Sequence, residues 1–401
     1  MRRCAAATCV VVASVVVVSG GAAHAASGPT NVGGQSVAPS TGTTSGDLSF
    51  NGSKTLAVWT AVKGRGHLVR GRLLAPDTTS EEDSFSISAL GVEVRDPRAA
   101  WNGSSWLVVW QTNGGQGYGE ILGQRVSAAG ELIGDRLTIR EGLSEGPAVA
   151  ARPNGGFFVT WTYHEKSPDD DPGPVDVYGR RVSAAGQVLD DAYGLRISTD
   201  TDDHLTDDYS GHVAWNGSSY LVVWEATQPG FVMDPTSQVM ASQRAANGSL
   251  LHAGVLTSVG HTRNPAVASD GHDFLVAFTE RGASEVDIIG VKVTSSFAKT
   301  RFPIAKAAGN RYGTTIAFNG VYLVTWVDQS DDDHVWGARV KSDDTLVDHT
   351  AVALTPGPDD GTREPAVAPG GSHSSQFAVL YTSSTDGTLG LQALGVQWAP
   401  K

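Results

Sequence analysis

Polar segments of this sequence contain histidine, tyrosine and arginine residues, a combination that can move protons beside a bound carboxylate. His261 and Arg263 are separated by a single residue, and Tyr209 and Tyr312 are the tyrosines that we expect near them. Histidine and tyrosine act as general acids and bases, and arginine neutralises a carboxylate. With His204 as a further candidate, these residues predict a catalytic site for acid/base chemistry beside a carboxylate. The alternative is that they are ordinary surface side chains.

Arginine recurs just before short apolar segments at four points of the chain. The four residues, often found as Arg-x-Pro, are Arg95, Arg263, Arg311 and Arg363. Guanidinium groups that share one level of a fold would bind the carboxylates or sulfates of an acidic ligand, because their donors pair bidentately with such oxygens. A recurring arginine can instead pair with a neighbouring carboxylate, such as Asp96, Asp360 or Glu364, and then it supports the fold.

Aspartates are concentrated in several long polar loops. The residues that we single out as ligands of a cation are Asp169, Asp171, Asp202, Asp331 and Asp333. Calcium takes about six to eight oxygen ligands, so carboxylates crowded on one surface predict a calcium site. Solvated acidic loops are the alternative interpretation. An EF-hand is excluded, because Leu205 and Gly211 stand where that loop requires glycine and glutamate.

The aromatic residues form two groups. One aromatic residue ends the same apolar segment each time that segment recurs, at Trp59, Trp110, Trp161, Trp224, Phe278, Trp326 and Tyr381. Such strict recurrence predicts core packing. Other aromatic residues do not recur and lie in or beside variable loops, where they could support a sugar ring: Tyr118, Tyr163, Tyr209, Phe231, Tyr312 and Trp336. For Trp336, strand packing is the alternative.

A repeated strand pattern must position all of these side chains. Seven copies contain a tight turn, usually Asn-Gly, whose residues tolerate the positive φ angles of β-hairpins. Each turn joins a first strand to an apolar second strand, and a variable loop and a third strand with a central glycine follow. A short fourth strand completes most copies, as in residues 137–140. Because the second strands are apolar on both faces, neighbouring sheets must cover them.

The repeat predicts an all-β, seven-bladed β-propeller of four-stranded antiparallel blades. The last copy lacks a fourth strand, and an unassigned segment at residues 34–39 precedes the first copy. We therefore expect this N-terminal strand to complete the last blade and close the ring, which removes open sheet edges. From about Gly34 to Trp398 the sequence resembles secreted bacterial seven-bladed β-propellers. The resemblance implies that short turns lie on one face of the ring and variable loops on the other, with first strands along a central channel.

The N-terminus and the composition restrict the cellular context. Residues 1–25 have the basic, apolar and small-residue zones of a signal peptide, residues 26–33 form a flexible segment, and residues 34–401 form the propeller. Both cysteines lie within the leader, so the mature chain cannot use disulfides or thiolates. Its charge is about −15, from 27 basic and 42 acidic residues after Arg2 and Arg3 are removed. This charge argues against nucleic acid as a partner, and no apolar run predicts a membrane span.

Three functions remain open. We expect a secreted, extracellular monomer that binds a glycan or protein through its acidic loop surface, with calcium as the one cofactor considered. A polysaccharide lyase or glycoside hydrolase at the channel mouth is the second hypothesis, because propeller glycan lyases combine histidine, tyrosine and arginine. A structural envelope protein is the third. The sequence contains no His-Glu-x-x-His, Walker or sialidase Ser-x-Asp-x-Gly-x-Thr-Trp motif.

Overall fold

The tight turns explain why the repeat folds as hairpins. A computed structural model describes residues 29–38, 46–78, 83–91, 93–113, 118–166, 172–198, 207–227, 236–258, 260–282, 285–306, 309–329, 334–348, 350–355, 365–371, 374–385 and 388–398. In the second copy Gly103 has φ +98°, and the Asn102 side-chain oxygen accepts hydrogen bonds from the amides of Ser104 and Ser105 at 3.0 and 2.9 Å. The asparagine and the glycine together hold the reversal of the chain.

The same asparagine also connects neighbouring copies of the repeat. The Asn102 side-chain amide donates to the carbonyl oxygen of Gly155 in the next turn, at 2.7 Å. Asn216 donates in the same way to His272, also at 2.7 Å. Asn102 and Asn216 are buried, at 0% and 2% exposure. The Asn-Gly-Ser sequences at these two positions therefore serve turn and packing functions.

The strands of the described residues form antiparallel sheets in which chain neighbours pair. The first strands are β2 (Gly46–Phe50), β6 (Val94–Trp101), β13 (Asp207–Trp215), β17 (Thr262–Ser269), β21 (Arg311–Phe318) and β25 (Ala366–Pro369). The second strands are β3 (Thr55–Lys63), β7 (Ser105–Thr112), β10 (Phe157–Lys166), β14 (Ser219–Thr227), β18 (Phe274–Arg281), β22 (Tyr322–Asp328) and β26 (Gln376–Thr385).

Third and fourth strands lie farther from the first strands in each sheet. The third strands are β4 (Gly66–Leu74), β8 (Gly119–Ser127), β11 (Pro172–Val182), β15 (Ser237–Ala245), β19 (Val286–Val293), β23 (His334–Val340) and β27 (Thr388–Gln397). The fourth strands are β5 (Phe85–Ser86), β12 (Leu195–Arg196), β16 (Leu250–Val255), β20 (Lys299–Ala305) and β24 (Val352–Ala353). The central glycine makes room for the fourth strand, since a Cβ on Gly290 would lie 2.8 Å from the Phe302 ring.

One long strand departs from the predicted pattern. β9 (Leu132–Ala151) pairs with β8 through its first part and with β10 through its second, so it joins strands β6 to β12 into a seven-stranded sheet. The predicted fourth strand at residues 137–140 is therefore part of a longer element. Left-handed backbone at Gly142, Leu143 and Gly146 (φ +62°, +50° and +57°) lies where the strand passes from its pairing with β8 to its pairing with β10.

The N-terminal strand β1 (Thr30–Ala38) pairs with the last part of the chain. It runs antiparallel to β27, and Gly34 lies opposite Leu394. The sheet order is β1, β27, β26 and β25. This strand begins before Gly34, where the predicted propeller domain starts.

The recurring aromatic residues form the core, which confirms their predicted role. Trp110, Trp161, Trp224 and Trp326 are at most 1% exposed, and Phe278 is fully buried. Clusters of buried residues combine side chains from adjacent sheets, as the apolar second strands required. The described residues contain no α-helix, and none of their segments is a helix long and apolar enough to cross a membrane. The described residues form an all-β assembly of five four-stranded antiparallel sheets and one seven-stranded antiparallel sheet.

Candidate functional site

A cavity of about 940 Å³ lies between the first strands. Residues of β2, β6, β9, β13, β17, β21 and β25 line it. Each of these strands contacts the next in this order, and β25 contacts β2. We call this cavity the channel.

One residue of each first strand faces the channel at the same level. Each of these residues pairs with the residue just before the recurring aromatic residue of its second strand, so their register is equivalent. We call this set the inner ring: Asp47, Arg98, Ala148, His212, Ala266, Thr315 and Ala366. Four members are alanine or threonine. Asp47, Arg98 and His212 interrupt this small-residue pattern with groups that can be charged.

A bulge separates the inner ring from the start of several first strands. The pairing of β6 skips from Arg95 to Arg98, and that of β17 skips from Arg263 to Ala266. Left-handed residues occupy the skipped positions, with φ +50° at Asp96, and bulges of this kind redirect the side chains on either side. The Arg-x-Pro pattern in the sequence thus belongs to a backbone irregularity.

A second level of side chains lies beyond the bulge. Each member pairs with the residue just after the recurring aromatic residue. We call this set the mouth ring: Arg95, Glu145, Tyr209, Arg263 and Tyr312. Two arginines and two tyrosines named from the sequence therefore occupy equivalent positions, and Glu145 joins them.

The arginines differ in their surroundings. Arg95 is 47% exposed and donates from Nε to a Glu93 carboxylate oxygen at 2.6 Å, while Arg263 is 53% exposed with its Nε 3.8 Å from Glu225. Burial raises the pKa of Glu225, and the charge of Arg263 partly opposes this shift. Both guanidinium groups remain accessible to a ligand.

Arg311 belongs to neither ring. It is 6% exposed, its Nε lies 2.9 Å from an Asp328 oxygen, and it donates to the carbonyl oxygen of Val286 at 2.9 Å. Tyr312 occupies the mouth-ring register instead. Arg311 is thus paired with a neighbouring carboxylate, which was the alternative to ligand binding for the recurring arginines.

Beside the mouth ring, a histidine is held between a carboxylate and two tyrosines. His164 Nε2 lies 2.7 Å from Glu145 Oε1. The Tyr118 ring stacks on the imidazole with centroids 4.0 Å apart and planes 21° apart, and the Tyr209 ring lies 6.4 Å away. We call these four residues the His164 cluster. A carboxylate that holds one ring nitrogen leaves the other nitrogen available, which is the arrangement of an oriented acid/base histidine.

Tyr209 retains its proton across the physiological range. Burial raises its pKa to about 12, and the charges of Asp207 and Glu145 add to the effect. Its hydroxyl therefore donates hydrogen bonds. Burial also raises the pKa of Asp207, against the opposing charge of His164.

Two other candidates lie outside these groups. The Tyr163 ring carries the Arg140 guanidinium 4.4 Å above it and meets Tyr178 edge-on at 5.5 Å, so it is part of a packed stack. His261 precedes β17 and forms an isolated β-bridge with Ser237. Its backbone carbonyl oxygen accepts a hydrogen bond from the Arg281 amide at 3.0 Å. The described lining of the channel does not include His261.

The remaining candidates fall outside the described residues, so their predicted roles remain predictions. These candidates are Asp169, Asp171, Asp202, His204, Phe231, Asp331, Asp333 and Arg363. Among the residues that the structure does describe, no group of three or more histidine or carboxylate side chains is arranged to hold a metal ion.

Sequence reasoning missed the polar inner-ring residues and the pairing of Glu145 with His164. A signal for the inner ring was present, because Asp47, Arg98 and His212 each lie four residues before the turn asparagine of their copy. Other copies have alanine or threonine there. The Glu145–His164 contact had no such signal, since it depends on the course of β9.

The similarity of this chain to known proteins is a similarity of fold. No family model and no curated protein matches the chain. A Dyadobacter fermentans protein of unknown function is 11% identical, with 76% of this chain and 94% of that chain covered and a TM-score of 0.55. A prolyl endopeptidase is 13% identical over 88% of this chain (TM-score 0.52), and a puromycin hydrolase is 14% identical over 88% (TM-score 0.51). The matches cover 48% and 53% of those two chains, so this chain spans about half their length.

Proposed function

We propose that this chain is a secreted seven-bladed β-propeller that recognises an extracellular glycan at the mouth of its channel. The two halves of the seven-stranded sheet count as separate blades. The contacts from β2 round to β25 and back to β2, together with the pairing of β1 with β27, support a closed ring. The leader at residues 1–25 supports export.

The observation that carries the glycan proposal is the combination of aromatic faces and polar groups at one end of the channel. Tyr118 stacks on His164, and Glu145 and Tyr209 approach the same imidazole. Ligand sites of this kind combine apolar ring faces with a few convergent hydrogen-bonding groups. A sugar offers the matching pair of surfaces, because its C–H face packs on an aromatic ring while its hydroxyls bond to carboxylate and imidazole.

Glycan binding is tested on an array of polysaccharides and glycoproteins with the mature protein, its Tyr118→Ala variant and its His164→Ala variant. We expect each substitution to weaken binding about tenfold or more, as loss of a central aromatic or polar contact does. His252→Ala is the matched control, because His252 also stacks on an aromatic ring, Phe297, but does so on the distant strand β16. The control should bind like the parent protein. Equal binding by all four proteins contradicts a glycan site at the His164 cluster.

The acidic loops are tested in the same array by adding calcium or a chelator. Chelator-sensitive binding would support a calcium site that involves Asp169, Asp171, Asp202, Asp331 and Asp333. Binding that is insensitive to the chelator removes calcium from the proposal and leaves the His164 cluster unaffected. A protein that binds none of the arrayed glycans directs attention to a protein partner or to a structural role in the envelope.

A second candidate function, a polysaccharide lyase or glycoside hydrolase, is favoured by the 2.7 Å contact between Glu145 and His164. The carboxylate orients the imidazole for proton transfer, and Arg95 and Arg263 at the mouth ring can neutralise an acidic sugar. The array distinguishes the two functions, since an enzyme progressively removes the immobilised polymer. His164→Ala should then abolish the loss, whereas His261→Ala should not.

A further inference from the structure

The inner ring carries an unusual arginine. Arg98 faces the channel, and its Nη1 donates one hydrogen bond, to the Pro97 carbonyl oxygen at 3.2 Å. Among the described residues it forms no ion pair, although the charge of Arg98 influences both Asp47 and His212. A guanidinium has five N–H donors in one plane. Most of the donors of Arg98 are therefore available to a molecule in the channel.

His212 provides a second donor on the same side of the channel. It lies on β13, and only the small inner-ring residue Ala148 of β9 separates it from Arg98 in ring order. Its imidazole forms no hydrogen bond with the residues that the structure describes, yet it borders the channel. Burial, reinforced by the charge of Arg98, lowers the pKa of His212 to about 4, so the ring is neutral and has one N–H to donate.

The rest of the channel lining limits the charge of a ligand. Arg98 is the one lysine or arginine among the described lining residues. Asp47 lies on the neighbouring strand, and its Oδ2 accepts the Ala99 amide at 2.8 Å. A dianion would add two negative charges beside one cation and a nearby carboxylate, whereas a monoanion adds only one. Pro147, Pro265 and Pro365 also line the channel and suit an organic body with few polar groups.

We propose that the inner ring binds the carboxylate of a small organic monoacid, with the Arg98 guanidinium and the His212 imidazole as donors. The planar fork of arginine matches the two oxygens of a carboxylate. The free oxygen of Asp47 would accept from a hydroxyl group of a sugar acid or from the ammonium group of an amino acid. This site lies below the mouth ring and does not depend on glycan binding at the His164 cluster.

The test follows the His212 imidazole by NMR in mature protein labelled with ¹⁵N-histidine, with the signal assigned by its loss in His212→Gln. The probes are D-glucuronate and its neutral counterpart D-glucose, at up to about 50 mM, which detects millimolar affinity. Glucuronate should shift the His212 signal and raise the pKa of His212 by about one pH unit, because a nearby negative charge favours the imidazolium. Glucose should do neither.

Arginine variants test whether Arg98 is the donor that acts together with His212. Arg98→Gln should weaken glucuronate binding about tenfold or more, since the charge-assisted pair is lost. Arg301→Gln, which changes an arginine that is 48% exposed on the outer strand β20, should leave the affinity unchanged. If Arg98→Gln does not fold, Arg98→Lys keeps the charge and removes the fork, and it should still weaken binding about fivefold or more.

L-Alanine distinguishes the two sources of the carboxylate. Tighter binding of L-alanine than of glucuronate, with the preference lost in Asp47→Asn, supports an amino acid as the ligand. The reverse order supports a sugar acid. The proposal is overturned if His212 responds to neither acid, if glucose shifts His212 as strongly as glucuronate does, or if Arg98→Gln retains the parental affinity.

Discussion

The arginines at the outer edges of the sheets differ from Arg98 in the channel. Arg339 and Asp348 are 5% and 4% exposed, with an Nη2–Oδ1 distance of 2.6 Å, and the Asp348 carboxylate also accepts the Arg339 amide at 3.0 Å. Arg181 and Asp190 repeat this arrangement, also at 2.6 Å. In both cases the partner comes from the same local turn. Arg98 has no such local carboxylate partner among the described residues, and it faces a cavity. Local pairing thus separates an arginine that stabilises the fold from one that is available to bind.

Breaking the buried edge pair should have the largest effect. Asp348→Ala leaves the Arg339 charge buried without compensation, so we expect the free energy of unfolding to fall by about 3–5 kcal/mol, measured by urea denaturation. Asp190→Ala should cost less, about 1–2 kcal/mol, because Arg181 is 27% exposed and water can replace the carboxylate. Equal losses in the two variants would show that burial does not set the strength of these pairs.

In the channel, the corresponding test is the pH dependence of stability. The pKa of His212 falls to about 4 in the folded protein from 6.5 in the unfolded chain. Between these values the unfolded chain binds the additional proton, so stability decreases as the pH falls from 6.5 to 4. Because the imidazole borders the cavity, water there reduces the effect, and we expect His212 to account for about 2 kcal/mol of this loss.

His212→Gln isolates that contribution in urea denaturation at a series of pH values. The burial-raised pKa of Asp47 acts in the opposite direction, because its ionisation destabilises the folded state as the pH rises, and the substitution leaves this effect in place. The parent and the variant should therefore diverge below pH 6.5. Parallel curves would mean that the His212 imidazole is not perturbed in the folded protein.

Arg98→Gln sharpens the comparison with Arg339. Because Arg98 forms no ion pair with the described residues, its removal should change the free energy of unfolding by less than about 1 kcal/mol, and a small gain is expected where a binding residue is replaced. Calorimetry of the unfolding transition measures this change. A loss of unfolding free energy as large as that of Asp348→Ala would show that Arg98 stabilises the fold as Arg339 does.

The smallest effect is expected at the mouth ring. Arg95 is 47% exposed and pairs with Glu93 at the surface, so Arg95→Gln should alter the free energy of unfolding by less than about 0.5 kcal/mol. The same thermal measurement checks it beside Arg98→Gln. A larger loss would indicate that the bulge at Asp96 depends on the Arg95 side chain.

Much of the architecture was predictable because its causes are local. The turn asparagines, the glycines with positive φ and the recurring aromatic residues act within one hairpin, and they appear in the sequence at regular spacing. β9 was not predictable in this way. Its glycines were visible, but the choice between a loop and a continuous strand depends on two sheets that flank it.

The sequence by itself determined the repeated hairpins, the core aromatic residues and the presence of polar departures from the repeat. The tertiary structure alone decided which of these polar residues lie close together. Asp47, Arg98 and His212 come from three different copies of the repeat, and they share one level because the register of each first strand and the order of the first strands place them there. Arg311 and Tyr312 show the same dependence, since the pairing of a single strand buries the arginine and gives the tyrosine the mouth-ring position. Register within a sheet and contacts between sheets are long-range properties, and the identity of a residue does not specify them.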